Sequence, residues 1–101
     1  MGGVSVVARR IREARLRAGI SQKQLGIKAG IDEFSASARI NQYERGKHMP
    51  DLQTVERLAA VLKVPAAYFY CADSELAELI LKFGALGKGQ RKQILRMLEG
   101  V

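Results

Sequence analysis

Apolar residues recur along this chain at spacings of three and four and nowhere alternate one by one, a pattern that predicts helices and no strands. A first helix is expected over Ser5–Ala18, with Val7, Ile11, Ala14 and Ala18 on one side and arginines over much of the rest. Gly19 is placed to end it in a left-handed conformation. Ser21-Gln22-Lys23-Gln24 reads as a capping box, Ser at N-cap and Gln at N3. It opens a second helix of about 21–29, with Leu25 and Ala29 inward and Gly30 as its stop.

The segment Asp32-Glu33-Phe34-Ser35 reads as a turn with two available caps, Asp32 and Ser35. A third helix of about 35–45 follows, with Ile40 and Tyr43 inward and Ser37, Arg39, Asn41 and Gln42 spread over the exposed side. Gly46 ends it. Asp51 caps a fourth helix whose stripe is Leu52, Val55, Leu58, Ala59 and Leu62. Val64-Pro65 breaks that stripe, and Pro65 suits the first turn of a short fifth helix, Ala66–Tyr70. Asp73 or Ser74 caps a sixth helix carrying Leu76, Leu79, Ile80 and Phe83. After Gly84, Gly87 and Gly89, a last helix of about 90–98 carries Ile94, Leu95, Met97 and Leu98. The expected architecture is all-α, divided into a domain over 1–72 and a helical extension over 73–101.

Composition narrows what such a chain can do. Its 101 residues build one modest core. No apolar run reaches the roughly 20 residues a membrane span needs, and the start, Met1 to Arg10, lacks the marks of a secretory leader. Cys71 is the only cysteine, so no intramolecular disulfide is available and a cytoplasmic chain is the expectation. His48 is the only histidine, and no HExxH, GxSxG, GxGxxG or phosphate-cradling glycine loop is present. The chain is therefore expected to be no enzyme and to carry no metal or cofactor. Tyr68, Phe69 and Tyr70 are read as core rather than a base-stacking platform, and His48 as a solvated loop residue.

Charge then points to a partner. The formal net charge is +7, and residues 1–50 hold ten Lys/Arg against four Asp/Glu, whereas residues 51–101 hold seven against six. Positive charge gathered in one half attracts polyanions, chiefly nucleic acid or an anionic surface; a merely solubilising surface is the bland alternative.

Two helices joined through a glycine-bearing turn make a helix-turn-helix when the second is presented to solvent. The major groove of DNA, about 12 Å wide, admits one helix, and residues near its N-terminal end reach the base edges. The third helix offers Ser37, Ala38, Arg39, Asn41 and Gln42 for such contacts: amides bond adenine, Arg bonds guanine and Ala meets the thymine methyl. Gln22 and Lys23, at the start of the second helix, and Arg45 and Lys47, after the third, are the candidate phosphate contacts. The same side chains also read as an exposed polar face without a partner. Lys88, Arg91, Lys92 and Arg96 read as the wet face of the last helix, able to extend a DNA footprint.

The stretch Arg12 to Phe69 resembles the phage-repressor and Cro-like (Xre-type) helix-turn-helix family. The matching pieces, in order, begin with Ile11-Arg12-Glu13-Ala14-Arg15, Gly19-Ile20-Ser21-Gln22-Lys23-Gln24-Leu25 and Ala29-Gly30-Ile31. Ile40-Asn41-Gln42-Tyr43-Glu44-Arg45-Gly46-Lys47, Pro50, the fourth-helix stripe and Leu62-Lys63-Val64-Pro65 continue the match. The resemblance implies a compact five-helix lambda-repressor-like DNA-binding domain, with two short C-terminal helices beyond it. It implies a phosphate- and base-proximal role for Gln22, base contacts at Ser37, Ala38 and Gln42, and a buried ion pair between Arg15 and Glu44. It further implies a transcriptional regulator, expected to be a repressor, of bacterial or phage origin, bound as a homodimer to a pseudo-palindromic operator. An antitoxin with its own protein partner, a restriction-system controller and a helical adaptor without DNA binding are the competing readings. One departure stands out. Twelve residues, Asp32 to Tyr43, separate Ile31 from Glu44 where the family usually has about eight. The extra turn either lengthens the third helix at its start or enlarges the loop before it, and the acidic Asp32 and Glu33 fall within it.

Overall fold

Six α-helices and one 3₁₀ helix make up the described residues, 5–101, of the computed structural model. They run α1 (Val6–Ala18), α2 (Gln22–Lys28), α3 (Glu33–Glu44), α4 (Leu52–Leu62), a 3₁₀ helix (Ala66–Tyr70), α5 (Ser74–Gly84) and α6 (Lys88–Glu99). The expectation of no leader rests partly on residues 1–4, which lie outside the described residues.

Local chemistry sets these boundaries. Ser5 Oγ accepts from the Ala8 N–H at 3.2 Å to open α1, and Gly19 closes it at φ 71°. Ser21 and Gln24 form the reciprocal box that opens α2. Asp51 Oδ1 accepts from the Thr54 N–H at 2.8 Å to open α4. Hydrogen bonds from Thr54 hold the Asp51 carboxyl below its ordinary value of 3.8. This cap therefore stabilises α4 above that pH and fades as pH falls through the lowered value.

The core draws on six elements, α1 to α5 and the 3₁₀ helix. Ile11, Leu25, Ile40, Val55, Leu58, Tyr68 and Phe69 are its fully buried large side chains, and the Tyr68 and Phe69 rings meet edge to face at 5.4 Å. Leu52, expected on the fourth-helix stripe, is exposed, as is Ala18 at the end of α1. Tyr70, expected in the core beside Tyr68 and Phe69, is 48% exposed, because the 3₁₀ helix is tighter than an α-helix and turns this ring outward.

Arg10 departs most from a surface reading. It is 4% exposed and ties the chain that leaves the 3₁₀ helix to α1. Its Nε donates to the Cys71 carbonyl at 3.0 Å, Nη2 to the Ala72 carbonyl at 3.2 Å, and Nη1 to Glu13 at 2.9 Å. The guanidinium also lies 5.5 Å from the Tyr68 ring centroid, and the Tyr68 hydroxyl donates to Glu13. One arginine fork thus satisfies carbonyls that no helix bonds.

α5 packs back on the domain through buried Ala77 and through Gly84, where a Cβ would come within 2.6 Å of the Pro65 ring. α6 buries no residue. Its link to α5 is Arg91, whose guanidinium donates to the Phe83 carbonyl at 3.2 Å and the Gly84 carbonyl at 2.9 Å and lies over the Phe83 ring. Arg91 therefore closes the end of α5 instead of sitting on the wet face of α6. The projecting helix stretches the molecule to 50 × 32 × 22 Å, with a radius of gyration of 15.0 Å where a compact chain of 100 residues has roughly 13 Å.

Candidate nucleic-acid interface

α2 and α3 meet across a short turn, Ala29 to Asp32, in which Gly30 takes φ 91°, a left-handed conformation that side chains disfavour. Asp32, not Ser35, caps α3: its Oδ2 accepts from the Phe34 N–H at 3.0 Å. The helix consequently begins at Glu33, two residues before the sequence expectation, and ends at Glu44 with Arg45 as C-cap. The extra residues therefore lengthen α3 and leave the turn short. Ser37 lies one turn inside the helix, and Phe34 stands on its first turn.

Close approach of the two helices depends on small residues. A Cβ added at Gly26 would lie 2.7 Å from the Ala36 Cβ and 2.9 Å from its Cα, and Ala36 is fully buried. No side chain larger than hydrogen fits at Gly26 without parting α2 from α3.

A polar network sets the rotation of α3. Arg15 on α1 meets Glu44 in a bidentate ion pair, Nε to Oε2 at 2.6 Å and Nη2 to Oε1 at 3.0 Å. The side chains are 12% and 3% exposed. Nη1 of the same guanidinium donates to the Ile20 carbonyl at 3.0 Å, anchoring the loop before α2. Bonding to Glu44 raises the Arg15 pKa, so the guanidinium is charged throughout any ordinary pH range. Gln22 Nε2 donates to Glu44 Oε1 at 3.1 Å and to Asn41 Oδ1 at 3.2 Å. Glu44 only accepts, so the Gln22 amide must present nitrogen to it. Asn41 must then turn its oxygen to Gln22 and keep its NH₂ outward. One network thereby joins α1, α2 and α3 and orients an amide donor on the exposed face.

That face is a stripe at helical spacing. Ala36, Ile40, Tyr43 and Glu44 point inward, while Phe34, Ser37, Ala38 and Arg45 are exposed and Asn41 is half-buried between them. Arg39 is exposed on the flank, and half-buried Gln42 lies next to it around a shallow hollow of about 370 Å³ that Tyr43, His48 and Met49 also line. Lys23 and Lys47 are exposed near the two ends of the unit. Of the ten basic residues in the first half, Arg10 and Arg15 are committed to internal bonds. The other eight, Arg9, Arg12, Arg17, Lys23, Lys28, Arg39, Arg45 and Lys47, are exposed. Gln22 is less free than its sequence position implied, because both amide hydrogens are engaged within the fold.

Sequence reasoning missed Arg10, Ala36 and Phe34. Helical phase held the signal for the first two: Arg10 falls in step with Val7, Ile11 and Ala14, and Ala36 in step with Ile40 and Tyr43. Among the described residues no group of His, Cys, Asp and Glu is placed to hold a metal ion, and no helix is long and apolar enough to cross a membrane.

Comparison with known proteins agrees with this geometry. The helix-turn-helix family model matches residues 11–69. The chain belongs to the Xre-like helix-turn-helix family. A solved structure described as the transcriptional regulator BswR superimposes with a TM-score of 0.88 at 55% identity, covering 93% of this chain and 93% of that one. A search of the curated proteins gives no match. Family and structural neighbour together support a DNA-binding regulator of transcription.

Proposed function

We propose that this Xre-like protein is a sequence-specific repressor that reads the major groove with α3. The observation that carries the reading is the stripe of Ser37, Ala38 and Asn41, flanked by Arg39 and Gln42 and set by the Arg15–Glu44–Gln22 network. In this reading Arg39 bonds guanine O6 and N7, Gln42 and the outward NH₂ of Asn41 meet acceptors on neighbouring bases, and Ala38 admits the base edge closely. Lys23, Arg45 and Lys47 bind phosphates on either side and set the register. Any phosphate contact from Gln22 falls to its backbone N–H, since its amide is engaged.

Selection from random duplex DNA at about 150 mM salt tests this reading, with Arg39→Ala/Gln42→Ala run beside the parent chain. The parent is expected to recover a palindrome bound at least about 10³-fold more tightly than random DNA. The variant is expected to lose about 10²-fold or more on that palindrome and little on random DNA. Recovery of no consensus, or equal affinity of the variant, would sink the proposal.

Two-fold binding requires two copies, and the C-terminal hairpin offers the surface. α5 and α6 enclose an open cleft of about 400 Å³ lined by Leu79, Ile80, Phe83, Ile94, Leu95 and Leu98. Leu79, Leu95 and Leu98 are each about half exposed in a single chain, more apolar surface than an isolated helix pair keeps in water without cause. A second copy of the hairpin is the occupant that matches this apolar face and supplies the two-fold axis. Sedimentation should give twice the 11.1 kDa chain mass. Leu95→Glu/Leu98→Glu should return it to one folded chain and lose the palindrome, its melt no longer depending on protein concentration. A parent chain that sediments as one copy at micromolar concentration contradicts the dimer.

A further inference from the structure

Phe34 is 92% exposed, the most exposed large hydrophobic side chain among the described residues after the terminal Val101. It stands on the first turn of α3, in the turn that this chain has beyond its family's usual length. Its phase is that of the outward stripe, three residues before Ser37, four before Ala38 and seven before Asn41. A phenyl ring held bare in water forfeits its burial free energy, and among the described residues nothing covers it. The backbone that carries the ring is held in place, because Asp32 bonds the Phe34 N–H and caps the helix there.

We propose that Phe34 is the leading residue of the reading surface and packs on the C5-methyl group of a thymine in the major groove. The inference rests on the major-groove reading of α3 given above. In that reading the N-terminal end of the helix points deepest toward the base edges, which brings Phe34 ahead of the polar contacts. The thymine methyl is the one apolar group that the major groove displays, so it is the partner an apolar ring selects there. Ser37 and Ala38 behind the ring are small and let it approach. No second large apolar side chain on α3 joins it to make a protein-docking patch. Phe34 therefore adds sequence discrimination at a base pair beyond the reach of Ser37, and the longer helix is the device that places it there.

The test uses the full chain and the palindrome recovered by selection. Each thymine is replaced in turn by deoxyuracil, which removes only the methyl group. Parent, Phe34→Ala and Arg39→Ala/Gln42→Ala chains are titrated on every duplex. Loss of one buried methyl is expected to weaken the parent about fourfold at one thymine per half-site. Phe34→Ala is expected to lose about tenfold on the thymine operator, to be indifferent to that same deoxyuracil, and to keep its affinity for random DNA and its melting temperature. Full affinity of Phe34→Ala, or an undiminished response to every deoxyuracil, overturns the contact. If Arg39→Ala/Gln42→Ala also keeps full affinity, the major-groove reading itself fails. If that variant loses affinity and Phe34→Ala does not, the thymine contact alone is overturned.

Discussion

Arg15→Ala is expected to lower the unfolding free energy by about 3–5 kcal/mol, because it strands the Glu44 carboxylate in the interior without its charge partner. Glu44 is 3% exposed at its side chain and takes two of its three hydrogen bonds from Arg15. The guanidinium also holds the Ile20 carbonyl, so the substitution loosens the entry to α2 as well. Arg15→Lys should recover little, since an ammonium cannot bridge both carboxylate oxygens and that carbonyl in one plane. Removing both charges, as Arg15→Met/Glu44→Leu, should cost less than either single loss. Small domains are stable by about 5–15 kcal/mol, so the single variant gives up a large share of its stability. Urea denaturation checks this, with the midpoint falling at constant slope. A loss under about 1 kcal/mol would place the pair with ordinary surface ion pairs and contradict the account.

Gly26→Val is expected to cost about 3 kcal/mol and to weaken operator binding with it. Two effects oppose each other at this position. Replacing glycine inside a helix gains up to about 1 kcal/mol of helix propensity. Against it, the first added carbon would already lie 2.7 Å from the Ala36 Cβ and 2.9 Å from its backbone Cα, with two methyl groups still to place. Backbone does not yield as a flexible side chain does, so the clash wins and α3 is pushed away from α2. The displacement would carry Asn41 off Gln22 and turn the exposed stripe. Gly26→Ala should show the same defect in smaller measure, and Gly26→Ala/Ala36→Gly should recover part of it. Thermal melts and operator titrations follow both effects; a Gly26→Val chain of parental stability and affinity would show that the helices do not meet this closely.

Most of the fold was legible because its signals are local. The capping box at Ser21, the stop at Gly19 and the stripe of Val55, Leu58, Ala59 and Leu62 each act within a turn or two, and each element formed where they placed it. The start of α3 was ambiguous for the same reason. Asp32 and Ser35 are both good caps locally; the chain uses the earlier one, with Ala36 packed closely on Gly26. Long-range partners were invisible for a different reason. Nothing near Arg10 in sequence announces the carbonyls of Cys71 and Ala72, and nothing near Arg91 announces the end of α5. Both arginines therefore read as surface charge. The candidate interface was legible in its composition, whereas its orientation depends on Gln22, whose amide nitrogen bonds inward across two helices.

Methylation interference on the selected palindrome tests the central claim most directly, because guanine N7 lies in the major groove and adenine N3 in the minor groove. Methylated guanine N7 should block the parent chain at symmetric positions in both half-sites, and Arg39→Ala should no longer discriminate at one of them. Interference confined to adenine N3, or guanine interference identical in the parent and Arg39→Ala chains, would show that α3 does not read the major groove through Arg39.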